Sequence, residues 1–516
     1  MNPRLSAALA LLPEYLAWHV ALSAAALALG VAISLPLAIA ASRSARLRWP
    51  LLAGAGLIQT VPSLALLALF YPLLLALSAL SARLFGGGFS ALGFLPALLA
   101  LTLYSVLPIL RTATTGVLGV DPAVIAAADG VGMTSRQRLW QVELPLAAPV
   151  IMAGVRTAAV WTIGAATLST PVGQTSLGNY IFSGLQTENW VDVLVGCAAA
   201  AALALTADQL LGLVEAGIRT RSRARLLAGM LGLAVGVAAA LTPLAAFGGR
   251  PAYVVGAKNF SEQYILAELI AGRLERAGAA VRLRQGLGSA VAYRALAAGD
   301  LDVYVDYSGT LWTNVLQRTD NPGRAAVMRE LTAELARRDG VVVLGSLGFE
   351  NAYALAMRAD RAKALGVSSI ADLARQAPRL TLGADLEFLV RPEWRAVQSA
   401  YGLRFKAQRA YQPTFMYRAL AGGDVDVISA FSSDGRIAAD RLVVLSDPKA
   451  AIPPYDAVVL ISPKRAGDAR LRQALAPLIG KISVEAMREA NFSVDRDEGK
   501  VTPAEAARAL EAKLGR

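Results

Sequence analysis

Apolar and polar positions divide this chain into two unlike halves. Through residues 1–250, Ala, Leu, Val and Gly run on in long stretches with few charges, whereas residues 251–516 carry most of the Asp, Glu and Lys. Six stretches of the first half, near 18–40, 51–80, 93–118, 146–168, 191–217 and 226–247, reach the length of about 20 apolar residues that a bilayer crossing needs. The first is long and lacks a short charged lead with a small-residue cleavage site, so a span is expected there, not a cleavable signal peptide. The second half reads as a soluble domain.

Charge placement gives the spans an orientation. Arg43, Arg46 and Arg48 follow the first stretch, Arg136 and Arg138 lie between the third and fourth, and Arg219, Arg221, Arg223 and Arg225 lie between the fifth and sixth. The intervening loops, 81–92 and 169–190, hold one Arg and no Lys. Cationic loops stay in the cytoplasm, so the N-terminus is expected outside. Six crossings then bring the chain out again after residue 247 and put the soluble half on the extracytoplasmic side.

Composition agrees and removes other classes. At 55% hydrophobic and 17% charged residues, the 516-residue chain is too apolar for one soluble protein. The net charge of +12 is carried by Arg clusters beside apolar runs, and no basic, aromatic-interleaved face for nucleic acid is apparent. One cysteine, Cys197, excludes a disulfide within the chain. One histidine, His19, excludes a His-based metal site or catalytic triad. It stands at the start of the first stretch, where an interfacial position is expected. No GxxxxGK[ST] occurs, so the chain has no P-loop of its own.

The loop between the third and fourth stretches carries the most information. It reads DPAVIAAADGVGMTSRQRLWQVELPLAAPV. Asp121-Pro122 suits a helix start. A short helix over Ala126 to Asp129 is expected, broken by Gly130 and Gly132. Thr134 can cap a second helix to Glu143, which Pro145 should stop. Such a helix pair suits docking into a groove on a cytoplasmic partner; an ordinary amphipathic loop gives the same pattern.

Here the sequence resembles the permeases of ABC importers, whose cytoplasmic loop EAA-x3-G-x9-I-x-L-P contacts the ATPase subunit. Ala127, Ala128, Gly132, Leu144 and Pro145 fall at the family spacing, with Ala126 in place of Glu and Val142 in place of Ile. The resemblance implies an all-α transmembrane permease domain of the type I ABC importer kind over 1–225, with ATP used by a separate cytoplasmic subunit and none bound as a cofactor by this chain. It also implies pairing into a homodimer. The stretch at 226–250 then reads as a sixth, tethering span with a Gly248-Gly249-Arg250-Pro251 linker.

The soluble half repeats itself. YRALAAGDLDV at 293–303 and YRALAGGDVDV at 417–427 agree at nine of eleven positions, 124 residues apart. YVVGAKNF at 253–260 and LTLGADLEF at 380–388 share a strand–Gly–loop pattern. Two similar α/β lobes follow, by duplication or by a shared structural solution, with the second over about 347–450. They suggest a clamshell whose ligand lies beyond the carboxyl ends of the strands. In register Tyr307 corresponds to Phe431, so each lobe offers a ring either to the cleft lip or to the core.

GAKNFSEQYILAELIA, DVYVDYSGT, FENAYAL, VDVISAFSSDGRI and IPPYDAVVL resemble, in order, the binding proteins of osmoprotectant importers for glycine betaine, carnitine and choline. That resemblance implies a two-lobed type II periplasmic-binding-protein domain over 251–516. It also implies an aromatic cage for a quaternary ammonium, at Gln263, Asp306, Tyr307, Tyr353, Phe431 and Tyr455. Phe431 stands where Tyr is commoner. Arg391, in EFLVRPEW, could meet a ligand carboxylate. Trimethylammonium cannot donate a hydrogen bond, so π faces and nearby carboxylates must replace its water. The expected protein is a multi-pass subunit of the cytoplasmic (inner) membrane. Ergothioneine or another amino-acid-like solute fits the same architecture. A transmembrane sensor is the other class, although no signalling segment follows the last span. An enzyme would need a nucleophile constellation that Asp306 and Asp434 lack.

Overall fold

The computed structural model describes residues 3–86, 89–187, 189–246, 253–318, 320–496 and 498–514. They form two compact units, one helical and one built on sheets. The expected Gly248-Gly249-Arg250-Pro251 linker lies outside the described residues.

The helical unit follows from its apolar runs. Its helices are α1 (Pro3–Arg43), α2 (Ala45–Thr60), α3 (Ser63–Phe85), α4 (Phe94–Leu118), α5 (Pro122–Gly130), α6 (Ser135–Arg138), α7 (Leu144–Ala166), α8 (Gly178–Gln186), α9 (Trp190–Arg219) and α10 (Arg223–Ala246). Among the described residues, six helices are long and apolar enough to cross a membrane. The single span expected over 51–80 is broken between α2 and α3, at Val61-Pro62. Pro62 has no N–H to continue the ladder, and its ring pushes Val61 into an extended conformation. The break lies beside the middle of α4: Gln59 donates to the Tyr104 carbonyl at 3.1 Å, and the Tyr104 hydroxyl donates to the Val61 carbonyl.

His19 departs from its expected interfacial position. It is fully buried, with Nε2 3.0 Å from the Ile163 carbonyl on α7 and Nδ1 accepting from the Leu177 N–H at 3.3 Å. An imidazole inside a helix bundle needs both ring nitrogens paired, and these backbone groups supply the partners.

The loop after α4 is largely as expected. Asp121 caps α5 by accepting from the Ala123 N–H at 2.8 Å. This helix starts at Pro122, earlier than Ala126. Gly132 has φ +79°, the left-handed turn that separates it from α6. Thr134 and Gln137 form a reciprocal capping box. Pro145, however, does not stop the second helix. A π-turn over Leu139–Glu143 joins α6 to α7, with the Leu144 N–H bonded back to the Leu139 carbonyl. The wider turn accommodates the missing Pro145 N–H and lets the helix run on.

Among the described residues, the second unit holds ten strands: β1 (Tyr253–Lys258), β2 (Val281–Leu287), β3 (Val303–Tyr307), β4 (Val342–Glu350), β5 (Tyr353–Arg358), β6 (Thr381–Asp385), β7 (Ala407–Tyr411), β8 (Val427–Phe431), β9 (Leu442–Val444) and β10 (Asp456–Ile461). They make two sheets of one design, β2-β1-β3-β10-β4 and β7-β6-β8-β5-β9. In each the first three strands are parallel and the fourth is antiparallel, supplied by chain arriving from the other lobe. β3 and β10 are buried along their whole length, as apolar strands covered on both faces must be.

The repeated motif has a structural duty. Asp302 Oδ2 accepts from the Val254 N–H at 2.8 Å, and Asp426 Oδ2 accepts from the Thr381 N–H at 3.0 Å. Each aspartate thus pins the start of the first parallel strand of its lobe to the strand it precedes. The left-handed glycines Gly299 and Gly423 turn the preceding helix into that strand.

Gly309, just beyond β3, tests the packing. A Cβ there would lie 2.5 Å from Cε2 of the buried Tyr455 ring. Gly309→Ala should lower the stability of the soluble unit by about 1–3 kcal/mol, seen as a lower thermal midpoint. Gly467→Ala, with open space at its Cβ, should change it by no more than about 0.5 kcal/mol.

Candidate functional site

The carboxyl ends of the parallel strands in both lobes converge on one cavity. Its lining includes Tyr307 and Tyr455 from the first lobe, Tyr353, Asp385, Arg391 and Phe431 from the second, and Phe260 from the loop after β1. Strand register explains much of this. Tyr353 and Phe431 are direct partners across β5 and β8, so their rings meet at 5.1 Å between centroids. Tyr455 precedes β10 and stands edge-on to Tyr353 at 5.8 Å. Phe388 closes the back of Tyr353 at 4.9 Å.

Tyr307 and Phe431 do both reach the cavity, but Phe260 joins them. It stacks on Tyr307 at 6.1 Å and on Phe431 at 6.4 Å, nearly parallel to the latter. Phe260 belongs to the Asn259-Phe260 pair that follows β1, and only the fold brings that loop across to the second lobe.

Two expected residues lie behind the cavity. Asp306 is buried and forms an ion pair with Lys258, while also accepting from the Tyr304 hydroxyl and from the Tyr307 N–H at 2.7 Å. Its charge is met within the protein, so it offers no free carboxylate to a ligand. The reason is alternation: along β3, Asp306 and Tyr307 leave opposite faces of the strand. Gln263 supports Tyr307, its Nε2 donating to the hydroxyl at 3.0 Å.

Two of the expected rings already carry protein cations. Lys258 Nζ is 5.2 Å from the Tyr307 centroid, and the Arg391 guanidinium is 5.1 Å from that of Tyr353. Arg391 is in turn held by Glu387, by Glu393 at 3.2 Å and by Thr310 at 3.2 Å. Glu393 also accepts from the Thr313 hydroxyl at 2.9 Å and from that of Tyr455. Arg391 and Glu393 come from the second lobe and their hydroxyl partners from the first, so this network bridges the lobes.

A second bridge centres on Glu262, which is buried and forms no ion pair among the described residues. Its carboxylate accepts from Tyr307 Oη at 2.6 Å, Ser433 Oγ at 2.6 Å, Asn491 Nδ2 at 2.8 Å and Asn351 Nδ2 at 3.0 Å. Burial pushes its pKa up, and the four donors oppose that shift. Burial, then the nearby Glu262, pushes the Tyr307 hydroxyl well up.

Asp385 is the residue that sequence reasoning passed over. It ends β6, where Lys258 ends β1 in the matching strand–Gly pattern, and that correspondence was the available signal. One oxygen, Oδ1, caps the next helix by accepting from the Phe388 N–H at 2.9 Å. The other, Oδ2, is buried without a hydrogen-bond partner. Burial raises the carboxyl pKa to about 6; Glu387 adds to the rise and Arg391 opposes it.

The α5–α6 loop is a separate candidate surface. Ala127, Gly132 and Pro145 are exposed, Leu144 is partly exposed and Ala128 is buried. Ala126, in place of the family Glu, is exposed as well. Arg138 joins Asp129 at 2.6 Å to Glu143 at 2.9 Å, and Arg43 reaches Glu143 from α1. These pairs hold the turn rigid while Val131 and Trp140 stay 75% and 62% exposed, an apolar surface on a charged frame.

Residues 251–512 match the substrate binding domain of the ABC-type glycine betaine transport system, and residues 30–220 match the binding-protein-dependent transport system inner membrane component. The chain belongs to these importer families. It is an ABC-importer permease fused to a substrate-binding domain for osmoprotectant-type solutes, and a multi-pass inner-membrane protein. Such permeases work with an ATPase partner. Over 458 residues it is 29% identical to the ergothioneine transport permease/ergothioneine binding protein EgtU of Helicobacter pylori (strain G27), spanning 85% of this chain and 79% of that one. The choline transport system permease protein OpuBB of Bacillus subtilis (strain 168) is 39% identical over 197 residues, which are 38% of this chain and 83% of that protein. The glycine betaine/carnitine/choline transport system permease protein OpuCB of the same organism is 37% identical over an equal length, with the same coverage.

Tyr307→Phe removes a donor to Glu262 and an acceptor for Gln263 while keeping the ring. It should lower the stability of the soluble unit by about 1.5–3 kcal/mol, the range for hydrogen bonds to charged groups. A lower urea midpoint at unchanged slope is the expected readout.

Proposed function

We propose that this chain captures and translocates a quaternary-ammonium osmoprotectant, namely glycine betaine, choline or carnitine, as the membrane subunit of an ATP-driven importer. One observation carries the substrate class. A cavity walled by Phe260, Tyr353, Phe431 and Tyr455 is also lined by Asp385, whose buried Oδ2 has no hydrogen-bond partner among the described residues. A trimethylammonium head answers both features: it binds π faces and pairs with a carboxylate without needing hydrogen bonds. Asp385 supplies the carboxylate that Asp306, paired with Lys258, does not offer. The rings and Arg391 make room for a zwitterion whose carboxylate would compete with Glu387 and Glu393 for the guanidinium.

In this reading the soluble unit lies on the extracytoplasmic side, as the Arg-rich loops require. A separate ATPase docks on residues 121–145, and two copies of the chain form the pore. Closing of the lobes on solute favours the state that triggers ATP hydrolysis. The chain binds no nucleic acid and uses no cofactor of its own.

A second reading has ergothioneine as the solute. It is favoured by the Helicobacter pylori relative, whose similarity runs through both halves of the chain. Ergothioneine is itself a betaine, so the same rings and carboxylate would serve.

Calorimetry of the soluble unit with glycine betaine, choline, carnitine and ergothioneine should show binding to at least one of them; silence across the panel rejects the substrate class. Affinity for a cationic head should fall as the pH drops from about 7.5 to 5, because Asp385 with its raised pKa gains a proton and loses its charge over that range. Asp385→Asn should weaken binding at the upper pH and flatten the dependence. An unchanged profile would remove Asp385 from the site.

The docking surface is tested separately. Gly132→Val forces a β-branched residue into left-handed backbone at φ +79°. Solute uptake by whole cells should be abolished, with binding by the soluble unit unchanged. Persisting transport would mean that the ATPase contact lies elsewhere.

A further inference from the structure

Within the helical unit, α7 and α9 carry three charged side chains into the membrane-spanning region. Arg156 lies twelve residues beyond Leu144, roughly 18 Å along α7, and Asp208 and Glu215 lie eleven and four residues before Arg219 at the end of α9, so the cluster sits within the apolar length of both helices, towards the ends that carry the Arg-rich loops. It bonds Asp208 through Nε and Nη2, both at 2.9 Å, and Glu215 through Nη1 at 2.7 Å.

The site is shaped for this arginine. Asp208, Gly212 and Glu215 recur on one face of α9 at helical spacing. A Cβ on Gly212 would lie 3.3 Å from the Arg156 Cζ, so the glycine gives the guanidinium its space. One cation faces two anions, leaving one formal negative charge.

The three side chains nevertheless remain 31%, 25% and 17% exposed. They floor an open groove with Thr157, Trp161 and Leu205 at its rim, and Trp161 is 61% exposed. Charges at this depth do not face lipid; they face protein or a water-filled route. A purely structural ion pair between α7 and α9 would require neither the uncompensated charge nor the open aromatic flank.

We propose that this groove lines the aqueous route through the membrane and forms a transient contact for the solute's cationic head. Trp161 offers the π face, and the surplus carboxylate offers the charge. The solute assignment rests on the function proposed above; the claim that the groove faces water does not.

Two experiments separate these parts. In the full chain in membranes, with Cys197 replaced by Ser, Thr157→Cys should react with a water-soluble trimethylammonium thiosulfonate reagent. Val131→Cys, on the exposed loop, serves as the positive control. An unreactive Thr157→Cys beside a reactive control would bury the groove in lipid or protein and overturn the proposal. The labelling needs no bound solute, so it decides the route even where the substrate class is wrong. Glu215→Gln cancels the surplus charge and leaves Arg156 bonded to Asp208. Uptake of cationic choline should fall about tenfold, and that of zwitterionic glycine betaine about threefold or less. The soluble unit's affinity should stay unchanged. Equal losses for both solutes, or no loss for either, would overturn the cation contact.

Discussion

Hydrocarbon and protein interiors offer no water, so every polar group that enters them must find its partner within the chain. That constraint organises both units. In the helical unit it turns the apolar runs into helices, and it makes His19 a tie between α1, α7 and the segment at Leu177. It also explains how two prolines act differently. Pro62 breaks an apolar run where Gln59 and Tyr104 can bond across the gap. Pro145 is absorbed by a π-turn, and α6 continues into α7.

The same rule shapes the sheet-containing unit. Asp302 and Asp426 sit at equivalent places because each first strand begins with an N–H that needs an acceptor. Glu262 is a buried carboxylate without an ion pair among the described residues, made tolerable by four donors that reach it from different parts of the domain. Lys258 and Asp306 satisfy each other beneath Tyr307. The rule is not met everywhere: Asp385 Oδ2 is one of several buried side-chain atoms without a hydrogen-bond partner, and Asp385 lines the aromatic cavity where the proposed ligand would sit.

The aromatic cavity is therefore not a bare cage. Lys258 lies over Tyr307 and Arg391 lies over Tyr353, so the protein's own cations use part of the π surface. In the proposed site, the faces left to a ligand would be those of Phe260 and Phe431 and the flank of Tyr353 beside Tyr455. This division sets a net electrostatic preference through a few carboxylates, not through ring count alone.

Much of this was legible in the sequence. Long apolar runs have one way to satisfy their backbones in a membrane, so their lengths and the Arg loops mark the helical unit. A repeated YRALA–Gly–Asp motif marks two lobes because each lobe solves the same strand-start problem. The repeat also placed Tyr307 and Phe431 at strand ends, and the motif framework placed Tyr353, Tyr455 and Arg391 near them. What the sequence could not supply was the direction and partner of each side chain. Asp306 is one residue from Tyr307, yet the strand turns it to the opposite face and onto Lys258. Phe260 reaches the second lobe only when the clamshell forms. Asp385 and the Arg156–Asp208–Glu215 cluster unite residues far apart in the chain, or expose an atom that only packing leaves alone. Periodicity and spacing are local and survive in the sequence; pairing and desolvation belong to contacts made across the fold, and only the tertiary structure decides them.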